Sequence, residues 1–261
     1  MQRLSARTDA MRFLELIFFS TYAELRAEHS RSYLGIAWWI VEPAMQMAVY
    51  YFVFALALKT STPDFVPFLL VGLTAWQWFK SSVSHGGLAI WQSLALIRQV
   101  RLPVALFPSV QILADTVKFL FVFLLLLAVL WYSGFKPNAA YFALLPVLLV
   151  ELLFASAIAY LVAAVVPLVP DLRFVIEQVL IVAMFLSGVV FSLGDLPPGL
   201  RDLLALNPMV VLIDALRGIL MHAQWPDWSA LGRVALISLA LYGIALFSIQ
   251  RLAVRYVKLA V

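Results

Sequence analysis

Between residues 34 and 250, apolar stretches of membrane-spanning length follow one another, and the few charged residues collect in alternate breaks between them. A hydrocarbon slab of about 30 Å takes about 20 apolar helical residues to cross, and backbone amides inside it must bond within their own segment. The pattern therefore predicts an all-α membrane protein.

Met11, Leu14, Phe18, Tyr22 and Leu25 recur at spacings of three or four and form one loose apolar stripe, which suits an N-terminal helix lying at the membrane surface. Span 1 is expected over residues 34–58, roughly 38 Å of helix with a kink at Pro43. After the turn Ser61-Thr62-Pro63-Asp64, span 2 runs from about residue 66 to beyond residue 84. Residues 94–108 carry Arg98 and Arg101 beside Pro103 and Pro108 and read as an inner loop with a short helix. In span 3 only residues 119–131 are purely apolar, so about seven preceding residues must be recruited to reach bilayer thickness, which draws in Asp115 and Lys118. Spans 4 and 5 are expected over 140–166 and 174–193.

Residues 194–229 contain no stretch long enough to cross. Asn207 followed by Pro208 is an N-cap and first-turn signal for a helix to about residue 222, roughly 21 Å long, with a second short helix at 198–206 before it. Span 6 follows at 230–249. The expected fold is six transmembrane helices, an N-terminal interfacial helix (domain 1–33), and two short re-entrant helices within 195–225 of the membrane domain 34–261.

Basic residues give the orientation. Arg3, Arg7, Arg12, Arg26, Arg31, Arg98, Arg101, Arg173, Arg251, Arg255 and Lys258 fall on one side, while Lys59, Lys136, Arg201, Arg217 and Arg233 fall on the other. By the positive-inside rule both termini are expected in the cytoplasm. The absence of an uninterrupted apolar stretch in the first thirty residues argues against a removable signal peptide.

Composition sharpens the class. The 261 residues are 64% apolar and 12% charged with mean hydropathy +1.00, outside the range of soluble domains. Net charge +4 forms no basic stripe of the kind nucleic acid requires; the charges flank apolar spans. With no cysteine, disulfides, thiolate nucleophiles and cysteine-ligated metals are excluded. No glycine precedes a lysine, so the loop that cradles nucleotide phosphates is absent, and neither HExxH nor GxSxG occurs. His29, His85 and His222 lie in three separate regions and support no metal site.

Glu42, Lys80, Asp115, Lys118 and Glu151 fall within spans, where a charge is expensive and therefore informative. Asp115 and Lys118, three apart, are expected to pair on one helix face. Glu42 can be satisfied beside Pro43. Glu151 is deepest, and an interhelical hydrogen bond and a place on a wet pathway both remain open. Trp39, Trp131, Trp225 and Trp228 are placed as belt residues, and Trp38 with them. Tyr50, Tyr51, Trp76 and Trp78 sit deeper, where rings with an apolar face and polar edge suit either sugar contact or helix packing.

Three stretches carry a resemblance. Arg31-Ser32-Tyr33-Leu34-Gly35-Ile36-Ala37-Trp38-Trp39 through Glu42-Pro43, Leu96-Ile97-Arg98-Gln99-Val100-Arg101-Leu102-Pro103, and Leu206-Asn207-Pro208-Met209 through Asp214-Ala215-Leu216-Arg217-Gly218 together resemble the permease subunits of bacterial ABC exporters for polysaccharides. The loop departs from the O-antigen and teichoic-acid pattern at Val104, where a charge is usual after the proline, and Glu42-Pro43 is closer to the capsule branch.

The resemblance implies a homodimer in the bacterial inner membrane, paired with two copies of a separate ATPase that carries ATP and Mg, this chain holding no cofactor, and moving a lipid-linked polysaccharide of O-antigen, teichoic-acid or capsule type. Spans 1 and 5 would wall the conduit, giving Tyr33, Trp38, Tyr50, Tyr51, Phe54 and Phe185 as channel candidates together with Trp76, Trp78 and Glu151. Arg26, Arg98, Arg101, Asp171 and Arg173 would receive the ATPase's movement, and Asn207, Pro208, Asp214 and Arg217 would form an outer gate. An ion-coupled transporter using Glu151, Asp115 or Glu42, an integral-membrane glycosyl- or phosphotransferase, and a scaffold without transport are the competing readings.

Overall fold

The computed structural model describes residues 2–31, 37–38, 41, 44–45, 48–49, 52, 64–99 and 102–259. Most of span 1, including Tyr33, Glu42, Pro43, Tyr50, Tyr51 and Phe54, lies outside the described residues, as do Arg101 and the side chain of Arg98. Among the described residues there is no strand.

In chain order the helices are α1 (Gln2–Arg31), α2 (Phe65–Gln92), α3 (Leu94–Gln99), α4 (Leu106–Tyr132), α5 (Leu144–Val165, entered through the 3-10 turn Ala139–Ala143), α6 (Leu172–Leu186), α7 (Pro198–Leu204), α8 (Pro208–His222) and α9 (Trp228–Leu259). Three segments are long and apolar enough to cross a membrane: Leu106–Tyr132, Ala139–Val165 and Trp228–Ala253. The pair α7–α8, bent by 100°, makes a fourth if it counts as one broken span. α2 has the length, at 28 residues, but Gln77, Lys80, Ser81, Ser82, Ser84 and His85 dilute its apolarity.

α2 is the centre of the bundle, packed on α4, α5 and α8. Trp78 lies flat on Phe119 of α4 with centroids 3.9 Å apart, and Phe79 on Phe154 of α5 at 5.3 Å. Farther along, small residues let the backbones approach: a Cβ on Gly86 would meet Ile112 at 3.0 Å and Ala159 at 3.2 Å, and one on Gly87 would collide with Val162. Without a water-driven hydrophobic force between lipid-embedded helices, such close contact supplies the packing. α9 lies along α5, whose Ala157, Ala159, Ala163 and Ala164 are all buried.

At the α3 end of the bundle a second apolar cluster joins Ile90, Ile97, Tyr160, Ile249 and Tyr256. Its phenols close backbone valences: Tyr256 donates to the Ala164 carbonyl at 2.7 Å and Tyr160 to the Ala105 carbonyl at 3.0 Å. Buried carbonyls need such donors wherever water is absent.

Three boundaries differ from expectation. α4 starts at Leu106, inside the stretch expected as an inner loop, with Pro108 accommodated in its first turn. α6 stops at Leu186 rather than reaching residue 193, because Ser187 and Gly188 turn the chain, Gly188 at φ 70. α9 continues past residue 249, so Arg251 and Arg255 are helical.

α1 rests against α4 through Thr21, buried and donating to the Val110 carbonyl at 3.5 Å. Its expected stripe of Met11, Leu14, Phe18 and Tyr22 is exposed, the orientation an interfacial helix needs.

Candidate functional site

On α2, Thr74, Gln77, Ser81, Ser84, His85 and Leu88 recur at intervals of three and four and so share one face. Over the fourteen steps from Thr74 to Leu88 that face extends about 21 Å. It forms one wall of a cavity of about 450 Å³, whose other walls come from α1 (Glu28), α4 (Asp115, Lys118, Phe119), α6 (Glu177) and Trp38. The polar residues that keep α2 from looking like a membrane span are thus gathered on a groove, apart from Ser82, which is buried in the bundle.

At one end of the groove four charged groups meet. Asp115 is almost fully buried, and both its oxygens lie within hydrogen-bond distance of His85 Nδ1, at 3.0 and 2.9 Å. Lys118 Nζ sits 2.6 Å from Glu28 and 3.6 Å from Asp115. The expected pairing of Asp115 with Lys118 is therefore present, but it is the longer contact of each residue. Antiparallel pairing of α2 and α4 brings His85 to Asp115, a contact the sequence reading did not foresee. Through Glu28, this cluster also fastens α1 to the membrane bundle.

The bent pair α7–α8 is held by a second polar device. Arg217 of α8 is buried, although the charge count placed it in an outer loop. Its guanidinium donates to the carbonyls of Gly188 and Val189, both at 2.7 Å, and of Phe68 at 3.2 Å. It also stacks over the Phe68 ring, 3.3 Å from the centroid. Asn207 caps α8 by accepting from Met209 N at 3.0 Å, while its amide donates to Leu186 O at 3.1 Å. Where α6 breaks, the carbonyls of Leu186, Gly188 and Val189 are claimed by these two side chains. Pro208 opens α8 as expected, and Asp214 is exposed.

The remaining candidates scatter. Trp76 is a core residue, 2% exposed, beside a smaller cavity that Phe185 also lines. Trp78 borders the main cavity, its indole N–H donating to Thr116 at 3.3 Å. Glu151 is fully buried, neither carboxylate oxygen has a hydrogen-bond partner among the described residues, and it lines neither cavity. The interhelical bond and the wet pathway left open for it are both unsupported here. Arg26 and Asp171 are exposed; Arg173 stacks on Trp91 and Phe174, each ring centroid 4.6 Å away. Among the described residues no three His, Asp or Glu side chains form a metal-binding group.

Apolar helices around a polar, aromatic-edged groove, with the sharply bent pair α7–α8 beside them, define a multi-helix membrane protein. The family description ABC-2 type transporter matches residues 15–221, and the chain belongs to that family. It is 30% identical over 220 residues to the O-antigen export system permease protein RfbA of Myxococcus xanthus, covering 84% of this chain and 85% of that one. A Klebsiella pneumoniae protein of the same name is 21% identical over 80% of this chain and 81% of its own length. The polysialic acid transport protein KpsM of Escherichia coli is 24% identical over 86% of this chain and 89% of its own.

Proposed function

We propose that this chain is the transmembrane permease subunit of an ATP-driven exporter that carries a lipid-linked polysaccharide out of the cytoplasm across the bacterial inner membrane. The observation that carries the reading is family membership over most of the chain together with a polar groove along the central helix. The sequence has no phosphate-cradling loop, so ATP and Mg belong to a partner ATPase.

In this reading six spans cross the bilayer: span 1, α2, α4, α5, α6 extended by the break after it, and α9. Both termini face the cytoplasm, where α1, α3 and residues 171–173 receive the stroke of two ATPase subunits. A single bundle of this size is filled by its own side chains, so a conduit for a hydrated chain requires two copies. The clamp of Arg217 and Asn207 fixes α8 near the opposite face, where the gate would stand. Glu151, away from both cavities, gives little support to a proton relay.

The test is reconstitution. Proteoliposomes containing this chain with its partner ATPase should move a lipid-linked glycan only when ATP is supplied. Export driven by an ion gradient without ATP, or ATP hydrolysis by this chain alone, overturns the proposal.

A further inference from the structure

The groove on α2 bears on which polysaccharide passes, and we infer that it is a hydrated contact surface for an uncharged glycan and not for a polyanion. This inference rests on the export reading above.

The groove offers the chemistry that sugars use. Gln77 and Ser81, one turn apart, supply an amide and a hydroxyl, the Ser81 hydroxyl donating to the Gln77 carbonyl at 2.8 Å and keeping its lone pairs free to accept. Trp38, exposed on the groove, contributes ring surface for the C–H faces of pyranose rings, and the stacked pair Trp78–Phe119 borders it with apolar edges. Spaced hydroxyl, amide and ring contacts without a deep closed pocket suit a chain that slides, since no single sugar is held tightly.

The charge balance selects the glycan. Among the described residues that line the groove, the cations are Lys118, held by Glu28 and Asp115, and Lys80; the carboxylates are Glu28, Asp115 and Glu177. Fixed acidic charge therefore equals or exceeds basic charge, depending on the proton of His85. A chain with a phosphate or carboxylate on every repeat would meet no surplus cation and would lose its hydration in a low-dielectric crevice. A neutral chain has no such cost.

The natural absence of cysteine makes the test direct. Gln77→Cys and Ser81→Cys are introduced singly into the full chain, assembled with its partner ATPase in membranes, and treated with water-soluble methanethiosulfonates. Leu124→Cys and Leu236→Cys, on exposed apolar faces, are the lipid controls, and Ser133→Cys in the exposed turn is the water control. The groove cysteines should react at rates near that of Ser133→Cys, while the controls stay unmodified.

Relative to Ser133→Cys, their preference for a cationic over an anionic reagent should be about threefold or more higher, and Glu177→Gln should reduce it. A neutral glucan oligosaccharide should slow their modification, and a sialic acid oligomer of equal length should not. Groove cysteines as silent as the lipid controls, preference for the anionic reagent, or equal protection by the sialic acid oligomer each overturn the inference. ATP-driven export measured on the same membranes reads the permease assignment separately, so failure of one leaves the other visible.

Discussion

Gly72 and Arg217 occupy one another's space: a Cβ at position 72 would lie 2.5 Å from Arg217 Nη2 and 3.0 Å from the Val189 carbonyl that this nitrogen bonds. The glycine is required by proximity and not by backbone conformation. Gly72→Ala should force the guanidinium aside and expose the broken end of α6, destabilising the bundle by roughly 2–4 kcal/mol. Arg217→Lys should recover only part of the stability, because an ammonium cannot address three carbonyls from a planar fork. Thermal unfolding of both variants in detergent checks this, and an unchanged transition in Gly72→Ala contradicts it.

The cluster at the end of the groove has an asymmetric energy profile. Glu28 and Lys118 are partly exposed, so Glu28→Gln should cost no more than about 1 kcal/mol. Asp115 is buried and holds His85 through both its oxygens, so Asp115→Ala should cost more than Glu28→Gln, about 1–3 kcal/mol, by leaving His85 without its acceptor, while Lys118 keeps Glu28. Denaturant unfolding of the two variants in detergent should preserve this order.

Glu151 lies in the core with no partner among the described residues, so its carboxyl makes no hydrogen bond there that an amide of the same shape would lose. Glu151→Gln should therefore match or exceed the parent in thermal stability, and ATP-driven export should survive. Loss of export with folding intact would restore a relay role to this residue.

Asp227 gives the clearest pH dependence outside the spans. Its Oδ1 accepts from the Ser229 hydroxyl at 2.7 Å and from the backbone N–H groups of Ser229 and Ala230 at 2.8 and 3.2 Å, capping α9. These bonds, the Ser229 hydroxyl first, hold its carboxyl below the usual carboxylate range. A depressed carboxyl stabilises the fold above its unfolded value, and that contribution fades as pH falls through the folded value. Melting temperatures of the parent and Asp227→Asn should therefore differ at neutral pH and converge in acid.

Ala223 adopts φ 54 at the end of α8, a left-handed conformation that suits glycine, and Gln224 N closes the cap on Gly218 O at 2.9 Å. Ala223→Gly should stabilise the protein by about 1 kcal/mol, read from thermal unfolding.

How far these features were legible depends on whether the signal is local. The capped start of α8 at Asn207-Pro208 was readable because capping chemistry acts within one turn. The length of α5 followed from its apolar run, whereas α4 begins at Leu106, well before the apolar run 119–131 that marked it. The early end of α6 was not, since Leu193 and its neighbours remain apolar while the turn at Gly188 depends on carbonyls being taken up by Arg217, far along the chain. The groove on α2 was half visible: Thr74, Gln77, Ser81, Ser84 and His85 stand at helical spacing, but their polarity reads as dilution until the facing carboxylates are placed. His85 and Asp115 lie at similar distances from the loop joining their helices, a hairpin relationship that could have paired them in advance.

The central claim is that a separate ATPase drives this chain to export glycan. Its most direct measurement is ATP-dependent appearance of a lipid-linked polysaccharide on the far side of proteoliposomes holding both subunits. The expected result is accumulation that stops when the ATPase is omitted or its catalytic site is disabled. Undiminished export by this chain alone, or under an ion gradient without ATP, contradicts it.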